Sequence, residues 1–205
     1  MTHALNNGLQ RPVNKATPLA AGKRSPKEGG ATYPLSNRIY RALWMVTWRL
    51  AASWTPAAFH PWRRFLLRSF GAKLGPNCDV HGSARVWFPP NLSMGERALL
   101  AHGVNCYNLA PITLGDWAIV SQGAHLCTGS HDIDDPDFPL VTAPITIEAH
   151  AWVAAEAFVA PGVTIGEGAV LAARSVTARD LLPWTVYAGN PASPRRQRTR
   201  HSGRK

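Results

Sequence analysis

Long apolar runs, paired cysteines and acidic charge near the chain ends are what this 205-residue sequence lacks. Its longest apolar stretch, residues 42–59, is broken by Arg49 and Pro56, so no run of about 18 apolar residues is available to span a membrane. The first thirty residues are polar, with Pro, Gly and Lys scattered through them, and do not read as a signal peptide. Three cysteines, Cys78, Cys106 and Cys127, form no CxxC pair. That disfavours a disulfide framework and a structural zinc site, and it fits a reduced, cytoplasmic setting. Charged residues make up only 17%, while hydrophobic residues reach 45%, enough for a core.

The formal net charge of +10 is unevenly spread. Residues 1–73 hold twelve Lys/Arg against one acid, Glu28, and residues 195–205 hold six with no acid. Residues 74–194 hold four Lys/Arg against eleven acids. The body is therefore acidic, which argues against a nucleic-acid partner, since phosphate readers carry a basic stripe on the folded face. Four stretches follow: a basic leader read as disordered (1–34), a helical extension (35–73), the body (74–194) and a basic tail (195–205). In the extension, residues 37–54 read as a helix capped by Ser36 or Asn37 and ended by Pro56. Ile39, Leu43, Val46, Leu50 and Trp54 recur at helical spacing, flanked by Trp44 and Trp48, with Arg38, Arg41 and Arg49 toward the other side. The stripe is expected to dock on the body. The other reading of it is an amphipathic patch making peripheral contact with a membrane surface. A second helix is expected over residues 62–70, with Pro61 in its first turn.

The body carries a period of six. Ile147, Val153, Val159, Ile165 and Leu171 stand six apart without a slip. The same spacing runs through Leu74, Val80 and Val86, then Met94, Leu100, Cys106 and Ile112, then Leu114, Val120 and Leu126, with two-residue offsets between blocks. A second column of small residues follows four later, among them Ala98, Ala118, Ala124, Ala151, Ala157 and Ala169. Six suits neither a helix stripe nor an antiparallel pair; it suits a triangular coil of three short strands and 18 residues per turn. The apolar residue points into the prism and the corner residue must be small. Gly75, Gly95, Gly115 and Gly166 are expected where corners need positive φ. Roughly fifteen hexads predict about five coils of parallel strands about 4.8 Å apart.

These hexads, with Phe70-Gly-Ala-Lys-Leu-Gly75, Cys106-Tyr-Asn108, Ser130-His-Asp132, Ala160-Pro-Gly-Val-Thr-Ile-Gly166 and Tyr187-Ala-Gly-Asn-Pro191, resemble the hexapeptide-repeat acyltransferases. The resemblance is strongest to the branch of maltose, galactoside and nodulation O-acetyltransferases. It implies an all-β solenoid, a left-handed parallel β-helix of the trimeric type. It also implies an acetyl-CoA-dependent O-acetyltransferase acting on a saccharide, in exopolysaccharide assembly, as a homotrimer. No metal is expected, on the spacing of the histidines themselves.

Chemistry is expected where the repeat breaks. Leu126 to Ile147 is 21 residues, three more than one coil, so residues 127–143 form a loop holding His131 and four aspartates. An alcohol attacks a thioester poorly while protonated, and a histidine can take that proton and return it to the thiol. His131 falls on the family's catalytic histidine, with Asp132, Asp134 or Asp135 to orient its ring. The resemblance further implies that Ala155 and Ala173 contact the cofactor through backbone and that Arg179 and Arg196 read its phosphates. Trp152 falls near the acceptor or thioester. A family asparagine of the acceptor site falls on Gly103, with Asn105, Asn108 and Asp132 nearby as acceptor candidates. An amino-sugar N-acetyltransferase, a non-catalytic scaffold and a zinc enzyme using three histidines stay open as other readings. His81, His102, His125 and His150 are isolated in the sequence, which speaks against the last.

Overall fold

The computed structural model describes residues 33–199. The leader therefore lies outside the described residues except for Tyr33 and Pro34, as does the end of the tail. The body is a parallel β-solenoid whose strands stack on three faces. The first face holds Lys73–Leu74, Leu92–Met94, Ile112–Leu114, Ile145–Ile147 and Thr164–Ile165. The second runs from Asp79–Val80 through Trp152–Val153 to Thr185–Gly189, and the third from Arg85–Val86 to Val176–Thr177. Five coils are complete, and a bridge from Ile165 to Leu181 begins a sixth. The six-residue column is the core: Ile147, Val153, Val159, Ile165 and Leu171 are all fully buried.

Register explains the offsets. Leu74 pairs with Met94 and Met94 with Leu114, so the first coils have 20 residues, whereas Ile147 to Ile165 is 18. Ile112 and Leu114 are two inward residues of one strand. The extra residues sit at the edge between the third and first faces. Asn108 is wholly buried there, its Nδ2 donating to the Phe88 carbonyl (2.8 Å) and its Oδ1 accepting the Phe88 N–H (2.9 Å).

Three expectations change. Leu126 and Ile147 lie on adjacent faces, so their 21 residues cross one edge where the coil below uses eight, from Cys106 to Leu114. The insertion is a whole hairpin, not three extra residues. The glycines at 75, 95, 115 and 166 do not take positive φ. A Cβ on Gly75 would lie 2.7 Å from the Gly95 carbonyl carbon, and one on Gly115 would lie 2.6 Å from the Ala149 nitrogen, so these positions are small because successive coils touch there. Positive φ falls two residues later, at Asn77, Arg97, Trp117 and Gly168, the third position of type II turns. Finally, the tail boundary at 194/195 lies inside a strand: Ala192–Gln197 pairs antiparallel with Thr185–Gly189.

The helices α1 (Leu35–Ala51) and α2 (His60–Ser69) close the open end of the solenoid. The first coil has no coil beneath it, so its carbonyls would face away unpaired. Trp44 Nε1 donates to Val86 O (2.7 Å), Trp48 Nε1 to Gly82 O (3.0 Å), Arg64 to Cys78 O (3.0 Å) and Arg68 to Leu74 O (2.8 Å). Arg63, 1% exposed, donates to Val80 O (2.7 Å) and to the carbonyls of Thr55, Pro56 and Ala57, and it pairs with Asp79 (3.3 Å). α1 begins after Pro34, not at a Ser36 or Asn37 cap; Asn37 instead accepts from Arg41 Nε (2.8 Å). The docked face is Tyr40, Trp44, Trp48 and Ala52. The stripe Ile39, Leu43, Val46, Leu50 and Trp54 is exposed, the reverse of the expectation, because indole N–H groups can cap carbonyls and aliphatic side chains cannot.

Removing the Arg63 guanidinium leaves the buried carbonyls of Val80 and Thr55 without that donor, each costing about 1–3 kcal/mol. Arg63→Ala is expected to lower the melting temperature by about 5–10 °C for a chain of this size. Arg63→Lys, which keeps the charge without the fork, should recover less than half of that. Thermal unfolding followed by circular dichroism checks both; an unchanged transition for Arg63→Ala would refute the capping role.

Candidate functional site

The inserted hairpin pairs Gly129–His131 with Leu140–Thr142, and the Ala143 N–H closes its base on the Thr128 carbonyl (2.9 Å). His131 Nδ1 lies 3.0 Å from the Phe138 carbonyl oxygen. A carbonyl only accepts, so the proton sits on Nδ1 and the Nε2 lone pair is free, with no partner among the described residues. The Phe138 ring stacks on the imidazole, centroids 4.4 Å apart and planes within 6°. Phe138 is in the left-handed region (φ 50°), a costly state for a bulky residue, and His131 uses both its carbonyl and its ring.

Among the described residues the hydrogen bond recorded at the His131 ring goes to a backbone carbonyl and not to an aspartate. Asp132 Oδ1 accepts the Asp134 N–H (3.1 Å) and Asp135 Oδ1 the Asp137 N–H (2.8 Å), the self-bonding that makes Asp a turn residue. Cys127 donates to the Gly129 carbonyl (3.2 Å), and no base is hydrogen-bonded to its sulfur. Cys106 is inert: burial pushes its thiol up to about 12. Among the described residues no three His, Cys, Asp or Glu side chains gather as a metal would require.

A groove of about 470 Å³ runs along a different edge, between the second and third faces. Ser121, Gln122, Trp152, Ala155, Ala173 and Arg196 line it. The corners stacked along it are turns closed by Ala124 N–H to Ser121 O (3.2 Å), Ala157 N–H to Ala154 O (3.3 Å) and Ser175 N–H to Ala172 O (3.2 Å). In each turn the third residue's N–H reaches the coil below, as from Arg174 to Ala155 O (2.9 Å). The second residue's N–H, that of Gln122, Ala155 or Ala173, has no acceptor among the described residues. The edge therefore offers a row of free donors beside small side chains, and Trp152 is fixed over it by Nε1 donating to Ser121 Oγ (2.8 Å).

The structure thus brings Trp152, Ala155, Ala173 and Arg196 together and separates them from His131 and Asp132 by the width of the third face. Arg179, exposed, follows the third face and shares the hairpin's edge, not the groove. Asn105 stands on the outer third face with Nδ2 donating to His125 Nε2 (3.2 Å). Burial holds His125 below the usual imidazole value and so keeps it neutral. Asn108 is spent on the coil wall and cannot reach an acceptor, correcting that expectation. Trp152 belongs with the groove.

Two features escaped the sequence. Phe138 was not singled out, although it sits in the expected loop. His81 and His102, isolated in sequence, meet through Ser83: its Oγ lies 2.9 Å from Nδ1 of each ring and accepts the Gly103 N–H (3.0 Å). This trio continues the grooved edge into the first coils. Its signal was there in the 20-residue coil length, which sets Ser83 under Gly103.

No protein-family model matches the chain. It is 41% identical over 162 residues to WcaF of Escherichia coli K12, assigned as a colanic acid biosynthesis acetyltransferase, covering 79% of this chain and 89% of that one. It is 25% identical over 132 residues to the galactoside O-acetyltransferase of the same organism, covering 63% and 65%. The fold matches a hexapeptide-repeat acetyltransferase of Vibrio cholerae, solved with acetyl coenzyme A, at a TM-score of 0.72 and 24% identity, covering 84% of this chain and 94% of that one. Hexads stacked as coils, one histidine-bearing hairpin and a relative this similar over most of both lengths agree: the chain belongs to the hexapeptide-repeat acetyltransferases.

Proposed function

We propose that the chain transfers an acetyl group from acetyl-CoA to a saccharide hydroxyl in exopolysaccharide assembly, as a homotrimer and by direct transfer with His131 as general base. The observation that carries this reading is the presentation of His131. Its Nδ1 proton is held by the Phe138 carbonyl and its Nε2 is open, the state a base needs before it meets an alcohol. Nε2 accepts the hydroxyl proton as that oxygen attacks the thioester carbon, the C–S bond breaks, and the imidazolium returns the proton to the departing thiol. The free N–H groups of Ala155 and Ala173 suit the amide carbonyls of an extended pantetheine arm. Alanine suits the arm's close approach, and Arg196 suits phosphate. Backbone N–H groups along the same edge suit the developing oxyanion. The galactoside and colanic acid relatives support a sugar acceptor.

One chain holds the base and the groove on different edges of a rigid prism. A cyclic assembly brings the hairpin edge of one copy against the grooved edge of the next and forms three sites between prisms. Arg179, on the hairpin edge, then approaches the neighbour's groove, which supports its expected place near the phosphates.

His131→Ala is expected to leave the fold intact and lower kcat by about 10²- to 10⁴-fold, the usual worth of a general base. Cys127→Ser should keep most activity. Labelled acetyl-CoA with candidate sugars, read by product mass, measures both, and unchanged turnover by His131→Ala would end this mechanism.

Arg196→Ala should raise KM for acetyl-CoA more than KM for the sugar. Steady-state kinetics with each substrate varied decides it; a rise confined to the sugar would move the donor groove elsewhere.

Mixing supplies the test of assembly. Ala173→Trp blocks the groove and His131→Ala removes the base, and each alone should be nearly inactive. Unfolded together in equal amounts and refolded, they should recover about a quarter of wild-type activity, since one site in four then pairs an intact base with an intact groove. No recovery would place the whole site within one chain.

A further inference from the structure

The cap on the first coil docks by one side of α1 and leaves the other bare. Trp44 is 1% exposed, whereas Leu43 is 58% and Leu50 71% exposed. At 100° per residue, Leu35, Ile39, Leu43, Val46 and Leu50 lie opposite Trp44 and Trp48. The bare face extends beyond α1 through Trp54, Phe59, Trp62 and Phe65, all exposed. Single exposed apolar residues are ordinary, but a contiguous patch of leucine, isoleucine and aromatic side chains is not. The patch lies on the end of the prism, because every capping bond from these helices goes to the first coil or to the helices' own connections.

We propose that this face seats the protein on an anionic phospholipid bilayer, α1 lying in the plane of the interface. Its charge selects that occupant. Residues 35–73 hold seven Lys/Arg and no acid, and Arg38 and Arg49 are exposed beside the apolar stripe. Arginine flanking buried apolar side chains is what an interface of acyl chains under negative headgroups binds. Trp54 and Trp62 stand where aromatic side chains suit the headgroup level. A second copy docked on the same patch would set like charges against each other. The leader is also basic, with five Lys/Arg before its one acid in residues 1–32, and is no better a cover. No described helix is long and apolar enough to cross a membrane, so the seat is on the surface.

Flotation of the full chain with vesicles tests this. Vesicles of phosphatidylethanolamine with about one-third phosphatidylglycerol are expected to carry the protein upward, and pure phosphatidylcholine vesicles to carry at least about tenfold less. Raising salt from about 0.1 M to about 0.5 M should weaken the binding, because the arginines are exposed to screening. Leu43→Asp with Leu50→Asp should abolish flotation while leaving melting temperature, oligomer mass and turnover on a soluble sugar unchanged, since both side chains are mostly exposed. Trp54→Ala offers a milder variant, expected to reduce flotation in part. The proposal is overturned if the wild type does not float, if the double variant still floats, or if the double variant changes oligomer mass. The last result would make the face a contact between copies.

Discussion

A solenoid propagates by backbone hydrogen bonds from coil to coil, and that series has to stop somewhere. At the first coil it stops against side chains: two indoles and three guanidiniums take the carbonyls that a further coil would have taken. Each donor was chosen by reach. An indole N–H stands at the end of a rigid plate and can cap a carbonyl while its rings cover the apolar mouth of the prism. A guanidinium can serve several carbonyls at once, which is why Arg63 is buried with its bonds filled. The cap makes its bonds to the first coil and so serves the end of the prism. Its outer apolar face is then a surplus that capping itself does not explain.

The same propagation shapes the site. Coils that touch must have small corner residues, and a type II turn at each corner spends one N–H on the coil below and leaves another pointing out. Stacking turns along an edge therefore makes a row of donors as a by-product of folding. Alanine at 155 and 173 serves packing and leaves room for a ligand to lie against the backbone. The hairpin has the opposite origin. It leaves the coil pattern, carries its own antiparallel pairing, and closes on the coil through the Ala143 to Thr128 bond, so it can present His131 without disturbing the core.

The core was legible in the sequence because its period of six follows from geometry that no other element shares. Every residue of the Ile147 to Leu171 column is buried. What misled was chemistry with two causes. Glycine serves positive φ and close approach alike, and at Gly75 and Gly115 the second cause governs. An apolar stripe on a helix suggests the buried face, but tryptophans that can donate to open carbonyls outrank aliphatic side chains for that place. The length of the 127–143 insertion is not legible in the sequence, because the spacing between inward positions does not say which face comes next. Aspartate beside histidine suggests an orienting carboxylate, whereas turn formation claims Asp132 and Asp135 and a backbone carbonyl takes the ring.

The placing of the carbonyl matters for the chemistry. A neutral carbonyl on Nδ1 fixes the tautomer and the orientation of the ring. Phe138 stacked on the ring adds an apolar wall beside it. The left-handed backbone at Phe138 places both a carbonyl and a ring on His131, so a single residue fixes the imidazole from two sides, and the hairpin holds that arrangement at the edge of a rigid prism.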